Sequence, residues 1–131
     1  SLDPKHIEAH NNIAIEYAKI KNYKEALSYN QVAIIIDPAN YKAYNNLGNI
    51  HYLNGNIAQA KRCYEKAIDI NPGFAEAYNN LGLVLENLGD LINAQILFKE
   101  AKELKPDYKD AKVNLDRINK LLKSKKQGPA S

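Results

Sequence analysis

Hydrophobic residues recur every three or four positions through seven stretches of the chain, the spacing that places them on one face of an α-helix. This periodicity predicts helices over 5–20, 24–36, 41–54, 57–70, 75–88, 91–104 and 107–122. Turn residues separate the stretches, with Gly55 and Gly89 marking two of the breaks, and no segment alternates apolar and polar as a half-buried strand would. The pattern predicts an all-α chain.

The helices group in pairs that repeat. Pro4, Pro38, Pro72 and Pro106 are spaced by 34 residues, as are Ala26, Ala60 and Ala94, and again Ala33, Ala67 and Ala101. Between residues 39–72 and 73–106, ten of 34 positions are identical. Each repeat is a helix, a turn and a helix. Small residues (Ala14, Gly48, Gly82) occupy the place where the first helix must approach the second closely, and Ala26, Ala60 and Ala94 are expected to answer them.

The signature residues of this period are Tyr44, Leu47, Gly48, His51, Ala60, Tyr64 and Pro72, then Tyr78, Leu81, Gly82, Leu85, Ala94, Phe98 and Pro106. A looser set precedes them in His10, Ile13, Ala14, Tyr17, Ala26, Asn30 and Pro38. On these residues the chain resembles the tetratricopeptide repeat (TPR) family. The resemblance implies a right-handed α-solenoid of three units, at 5–38, 39–72 and 73–106. Residues 107–123 keep the apolar columns at Leu115, Ile118 and Leu121 but carry Lys112 and Asp116 in packing columns, so they are expected to form a capping helix. Residues 1–4 match the closing residues of a repeat, as Ile36, Asp37 and Pro38 do, and are expected to end a preceding one; residues 124–131 are expected to be a disordered basic tail.

Within this scheme the asparagines stand out, because Asn costs a helix interior roughly 0.5–0.7 kcal/mol relative to Ala. At 100° per residue, Tyr44, Leu47, Gly48 and His51 share one stripe of their helix and Asn46 points well away from it, with Asn45 on the flank nearer an adjacent repeat. Steps of 34 extend the outward column to Asn12, Asn46, Asn80 and Asn114, and the flank column to Asn11, Asn45 and Asn79. In the TPR family first helices line the concave surface, so the resemblance makes the outward column a ladder like those in the superhelix of O-GlcNAc transferase and in kinesin light chains. Such amides hold an extended peptide by its backbone, since a carboxamide offers a donor and an acceptor together. The alternative is that these amides only bond neighbouring helices. Asn49, Leu83 and Tyr52 beside the ladder, with acids such as Glu8, Glu76 and Asp110 at its rim, suggest a ligand of basic or apolar character. The family's carboxylate clamp needs Lys and Arg where this chain has Asn11, Glu76 and Asn80; only Asn46 matches.

Composition narrows the remaining classes. The net charge is +3, but Lys120, Lys123, Lys125 and Lys126 carry the surplus, and residues 1–118 hold 14 basic against 15 acidic groups. Without a basic face, nucleic-acid binding is not expected. The longest apolar run, Val32 to Ile36, is far short of the roughly 20 residues of a bilayer span, so no membrane insertion is expected. The single cysteine, Cys63, favours a cytoplasmic setting, with a bacterial envelope as the alternative. His6, His10, His51 and Cys63 form no catalytic or metal-ligand pattern, which argues against an enzyme, a metal site or a cofactor. The reading is a protein-interaction scaffold that binds an extended peptide. Its rivals are a self-assembly module, using exposed apolar groups such as Ile7 and Ile13, and the recognition arm of a glycosyltransferase.

Overall fold

The computed structural model describes residues 4–127. Residues 1–3, assigned above to a preceding repeat, and 128–131, assigned to the tail, lie outside the described residues. Seven α-helices occupy nearly all of the described chain: α1 (Pro4–Lys19), α2 (Tyr23–Ile36), α3 (Tyr41–Leu53), α4 (Ile57–Ile70), α5 (Ala75–Asn87), α6 (Leu91–Leu104) and α7 (Lys109–Gln127). Among these helices none is long and apolar enough to cross a membrane.

Local chemistry sets the helix ends. Asn22, Asn40 and Asp90 cap α2, α3 and α6 by accepting the backbone N–H of Glu25, Ala43 and Asn93. The turns inside the helix pairs require a left-handed residue, and Gly55 (φ +82°) and Gly89 (φ +85°) supply it. The equivalent position in the first pair is Lys21, held at φ +64°. The expected tail is corrected in part: α7 continues to Gln127, so residues 124–127 are helical. Lysine is a good helix former, and Lys125 and Lys126 in the last turn complement the negative end of the helix dipole.

The chain divides into two compact units, Ser1–Pro72 and Gly73–Ser131. In the N-terminal unit α1 packs on α2 and α3 on α4, while α1 and α2 both contact α3. Its core joins Ala14, Ala18, Ala26 and Ile50, with a second cluster of Ile7, Ala33 and Ala43. Ile7 is therefore buried, which corrects its assignment as an exposed group available for self-assembly; Ile13 is 40% exposed, as that reading needs. In the C-terminal unit α5 packs on α6, and α7 lies against both. Leu115 and Ile118 of α7 complete a core with Ala94 and Phe98.

In the second and third pairs a glycine of the first helix faces an aromatic ring of the second at close range. A Cβ on Gly48 would stand 2.5 Å from Tyr64 Cε1, and one on Gly82 would stand 2.6 Å from Phe98 Cε1. The small column thus meets the buried aromatic column, and Ala26, expected to answer Ala14, lies in one core cluster with it. In the first pair the same two positions hold Ala14 and Asn30, both fully buried.

Candidate functional site

The two asparagine columns behave differently. Asn11, Asn45 and Asn79 are buried among the helices. Asn11 Oδ1 accepts from Asn30 Nδ2 at 3.3 Å, and Asn30 Nδ2 also donates to the Ala43 carbonyl at 3.1 Å, so one amide joins α1, α2 and α3. Asn30 Oδ1 is buried with no partner among the described residues. The flank column is a set of bonds between helices wherever its partners are identified.

In the outward column, Asn12 is exposed and Asn46 and Asn80 are half-buried. Asn114 departs from this and corrects the expectation of a fourth outward rung. It is only 8% exposed, and its amide is used on both sides. Its Nδ2 donates to Asn79 Oδ1 at 2.8 Å, and its Oδ1 accepts from Arg117 Nη1 at 2.8 Å. In α7 this position faces α5, because the register that buries Ala111, Leu115 and Ile118 turns Asn114 inward beside them.

A continuous relay results. Arg117 donates to Asn114, Asn114 to Asn79, and Asn79 Nδ2 to the Tyr108 hydroxyl oxygen at 3.4 Å. Guanidinium has donors only, so Asn114 must turn its oxygen to Arg117, and that choice fixes the orientation of both amides. Arg117 is itself anchored by a two-pronged ion pair with Glu86, Nε to Oε2 at 3.0 Å and Nη2 to Oε1 at 2.5 Å.

The relay floors a crevice of about 300 Å³ between α5 and α7, lined by Asn79, Asn80, Leu83, Tyr108, Asp110, Val113 and Asn114. Five of these seven, all but Tyr108 and Val113, were singled out from the sequence. Asp110 is an exposed carboxylate in no ion pair among the described residues, whereas Glu76 is bonded to Lys105 Nζ at 3.0 Å, and that ammonium lies over the Tyr108 ring. Burial pushes the Tyr108 phenol above its ordinary pKa, and the carboxylates of Glu76 and Asp110 push it the same way. In the N-terminal unit the corresponding crevice, about 270 Å³ between α1 and α3, is lined by Glu8, Asn11, Asn40 and Lys42 among others.

The remaining neighbours of the ladder are placed as follows. Asn49 Oδ1 accepts from the Tyr64 hydroxyl at 2.6 Å, a bond that Leu83, opposite Phe98 in the next pair, does not make. Tyr52 is half-buried at the end of α3. Tyr108 was missed from the sequence. It sits in a connection rather than a helix, and the positions 34 and 68 residues before it hold Phe74 and Asn40, so no column marked it.

The groups considered for catalysis sit as follows. His51 has its pKa lowered by burial and then by Arg62. Burial pushes the Cys63 thiol up to about 11, so it stays protonated at neutral pH. Among the described residues no three His, Cys, Asp or Glu side chains gather closely enough to hold a metal ion.

Two family models described as Tetratricopeptide repeat match the chain, over residues 41–74 and 63–96. The Sgt2 TPR domain from Aspergillus fumigatus is similar over 100% of this chain and 89% of its own, at 20% identity and a TM-score of 0.88. The first TPR of Spaghetti (RPAP3), solved bound to the HSP90 peptide SRMEEVD, is 23% identical, covering 94% of this chain and 98% of its own with a TM-score of 0.81. The Arabidopsis OM64 TPR domain is 27% identical over 88% of this chain and 96% of its own, with a TM-score of 0.79. No curated protein matches the chain by sequence. Residues 41–96 therefore match the tetratricopeptide repeat family, and the 34-residue period and the paired helices carry the same pattern through the described chain.

Proposed function

We propose that the protein is a non-catalytic interaction scaffold that holds an extended peptide through the amides of Asn12, Asn46 and Asn80, with Asn49, Tyr52 and Leu83 beside them. The observation that carries this reading is the α5/α7 crevice, which gathers Asn80 and Leu83 over a floor of amides already locked to one another. A fixed floor favours binding, because little side-chain entropy remains to be lost when a ligand settles on it. The solved RPAP3 domain, with its HSP90 peptide, is a relative of the same fold that holds a peptide. Asn45, Asn79 and Asn114 act in this reading as supports, and Asn79 and Asn114 have both ends of their amides engaged.

A net hydrogen bond is worth roughly 0.5–1.5 kcal/mol, so three amides supply on the order of 2–4 kcal/mol of the roughly 8 kcal/mol that a micromolar complex requires. Side-chain contacts supply the rest. The test is a double variant, Asn46→Ala with Asn80→Ala, assayed against peptides selected on the wild-type protein. Binding should fall by tens of fold with the melting temperature unchanged. A stable variant with undiminished affinity removes the ladder from the mechanism, and a loss of binding that only follows a loss of stability makes it structural.

Self-association remains a second reading because of one patch, where Ile13, Tyr17 and Ile20 lie together on α1 with Ile20 71% exposed. A monomer by light scattering at high micromolar concentration would dismiss it.

A further inference from the structure

The relay under the α5/α7 crevice has a direction and a loose end. Its proton donors run from Arg117 through Asn114 and Asn79 to the oxygen of Tyr108, which leaves the phenolic proton as the terminal donor. The hydroxyl of Tyr108 donates to no acceptor among the described residues, although the residue is half-buried and lines the crevice. Bonds in such a chain polarise one another, so a donor at the end of a chain that begins on a guanidinium is strengthened. In the open crevice that proton is available to solvent, and a ligand that displaces the solvent has to offer an acceptor in its place.

The surrounding charges restrict that ligand. Glu76 is neutralised by Lys105, whereas Asp110 lines the same crevice with no ion-pair partner among the described residues. A carboxylate brought to Tyr108 would stand in the field of Asp110; an uncharged carbonyl would not be repelled. Asp110 in turn attracts a cation, and Leu83 and Val113, the latter 61% exposed, offer a wall along which a long aliphatic stem can lie.

We propose that the α5/α7 crevice is a subsite for one segment of an extended peptide, in which a main-chain carbonyl accepts from Tyr108 and a lysine or arginine side chain meets Asp110 along the Leu83–Val113 wall. This rests on the peptide-scaffold reading and deepens it. The chemistry selected is the inverse of an acidic peptide end, and it makes Asp110 and Tyr108 the residues that set specificity.

The experiment uses three pools of acetylated, amidated heptapeptides, randomised except for a central Lys, Ala or Glu, measured by fluorescence polarisation against the full chain. The Lys pool should bind at least tenfold more tightly than the Glu pool. Asp110→Asn, a change at an exposed site, should erase that difference, and Tyr108→Phe, which also takes the acceptor from Asn79 and so lowers the melting temperature somewhat, should weaken every pool three- to tenfold at a temperature where both proteins are fully folded. Equal binding of the Lys and Glu pools, or a preference that survives Asp110→Asn, overturns the cation subsite. If Tyr108→Phe lowers affinity only in step with stability, or not at all, the carbonyl contact is overturned. Should the pools bind in a manner that depends on Asn46 and Asn80 but not on the central residue, the scaffold reading stands and the subsite falls. Should no pool bind at millimolar concentration, both fall.

Discussion

The first helix pair, α1 with α2, and the third, α5 with α6, follow one plan and reach different quality. In the third pair a glycine receives the Phe98 ring, a glycine takes the left-handed turn at 89, and every buried side-chain polar group has a partner. In the first, Asn30 replaces the ring and leaves its oxygen unpaired, Lys21 is held at φ +64°, and Ala14 stands where the glycine would be. The plan therefore survives substitution on both sides of its tightest contact, at a cost in local stability. A shorter side chain at 30 leaves room for a methyl group at 14, and the amide of Asn30 turns the freed space into bonds with Asn11 and Ala43.

The sharpest way to break the comparison is to exchange the small residues. Gly82→Ala drives a Cβ into a buried ring with no space to retreat, so it should cost about 3 kcal/mol, at the upper end of what overpacking costs. Ala14→Gly meets no clash and should cost only about 1 kcal/mol, from backbone entropy. Urea titration of each variant, followed by circular dichroism, gives the pair of values; equal losses would show that the two contacts are not shaped differently.

Hydrogen exchange reads the same contrast in the unaltered protein. A left-handed lysine and an orphaned buried acceptor together reduce the opening free energy of α1 and α2 by on the order of 2 kcal/mol, so their central amides should exchange roughly 30-fold faster than those of α5 and α6. Equal protection in the two pairs would contradict it.

Alkaline pH should separate α4 from α6. Cys63 has a folded pKa raised from 9.0 to about 11, and that of Tyr64 is raised from 10.0, in both cases mainly by burial. Above pH 9 the unfolded chain loses protons that the folded one keeps, so stability is complete below that pH and declines as pH rises through about 11. Cys63 is partly exposed, which limits its share to on the order of 1 kcal/mol. Leu97 and Phe98 stand in the equivalent places in α6 and do not titrate. Cys63→Ala combined with Tyr64→Phe should flatten the decline between pH 9 and 11; an unchanged slope would assign it to other groups.

The smallest effect expected is a gain. Lys21→Gly relieves the left-handed strain but frees the unfolded chain, so the net should be about 0.5 kcal/mol of stabilisation, seen as a rise of a few degrees in melting temperature. A fall would mean that Lys21 is held by contacts worth more than the strain.

Most of the helix plan was legible in the sequence, because a repeated glycine, a repeated aromatic and a turn residue at fixed spacing leave little freedom in where helices start and stop. The helices expected at 57–70 and 91–104 are Ile57–Ile70 and Leu91–Leu104. The site was legible only in part. An angle on a helical wheel separates Asn46 from Tyr44, but it does not say which flank the next helix covers, and Asn114 was assigned to the wrong side for that reason. Asp110 stood in the periodic column of Glu8 and Glu76, but Tyr108 gains its meaning from the network that reaches it through Arg117, Asn114 and Asn79, and no periodic count contains that information.

The contact between glycine and ring also bears on the order in which these sequences can change. Enlarging Gly48 while Tyr64 remains creates a clash, and shrinking Tyr64 while Gly48 remains opens a cavity of the kind that costs 3–5 kcal/mol for a lost aromatic. Both single steps are losses, although the combination seen at Ala14 and Asn30 is a folded one. The two positions are therefore coupled, so a combined change at 48 and 64 should cost less than the sum of the two single changes.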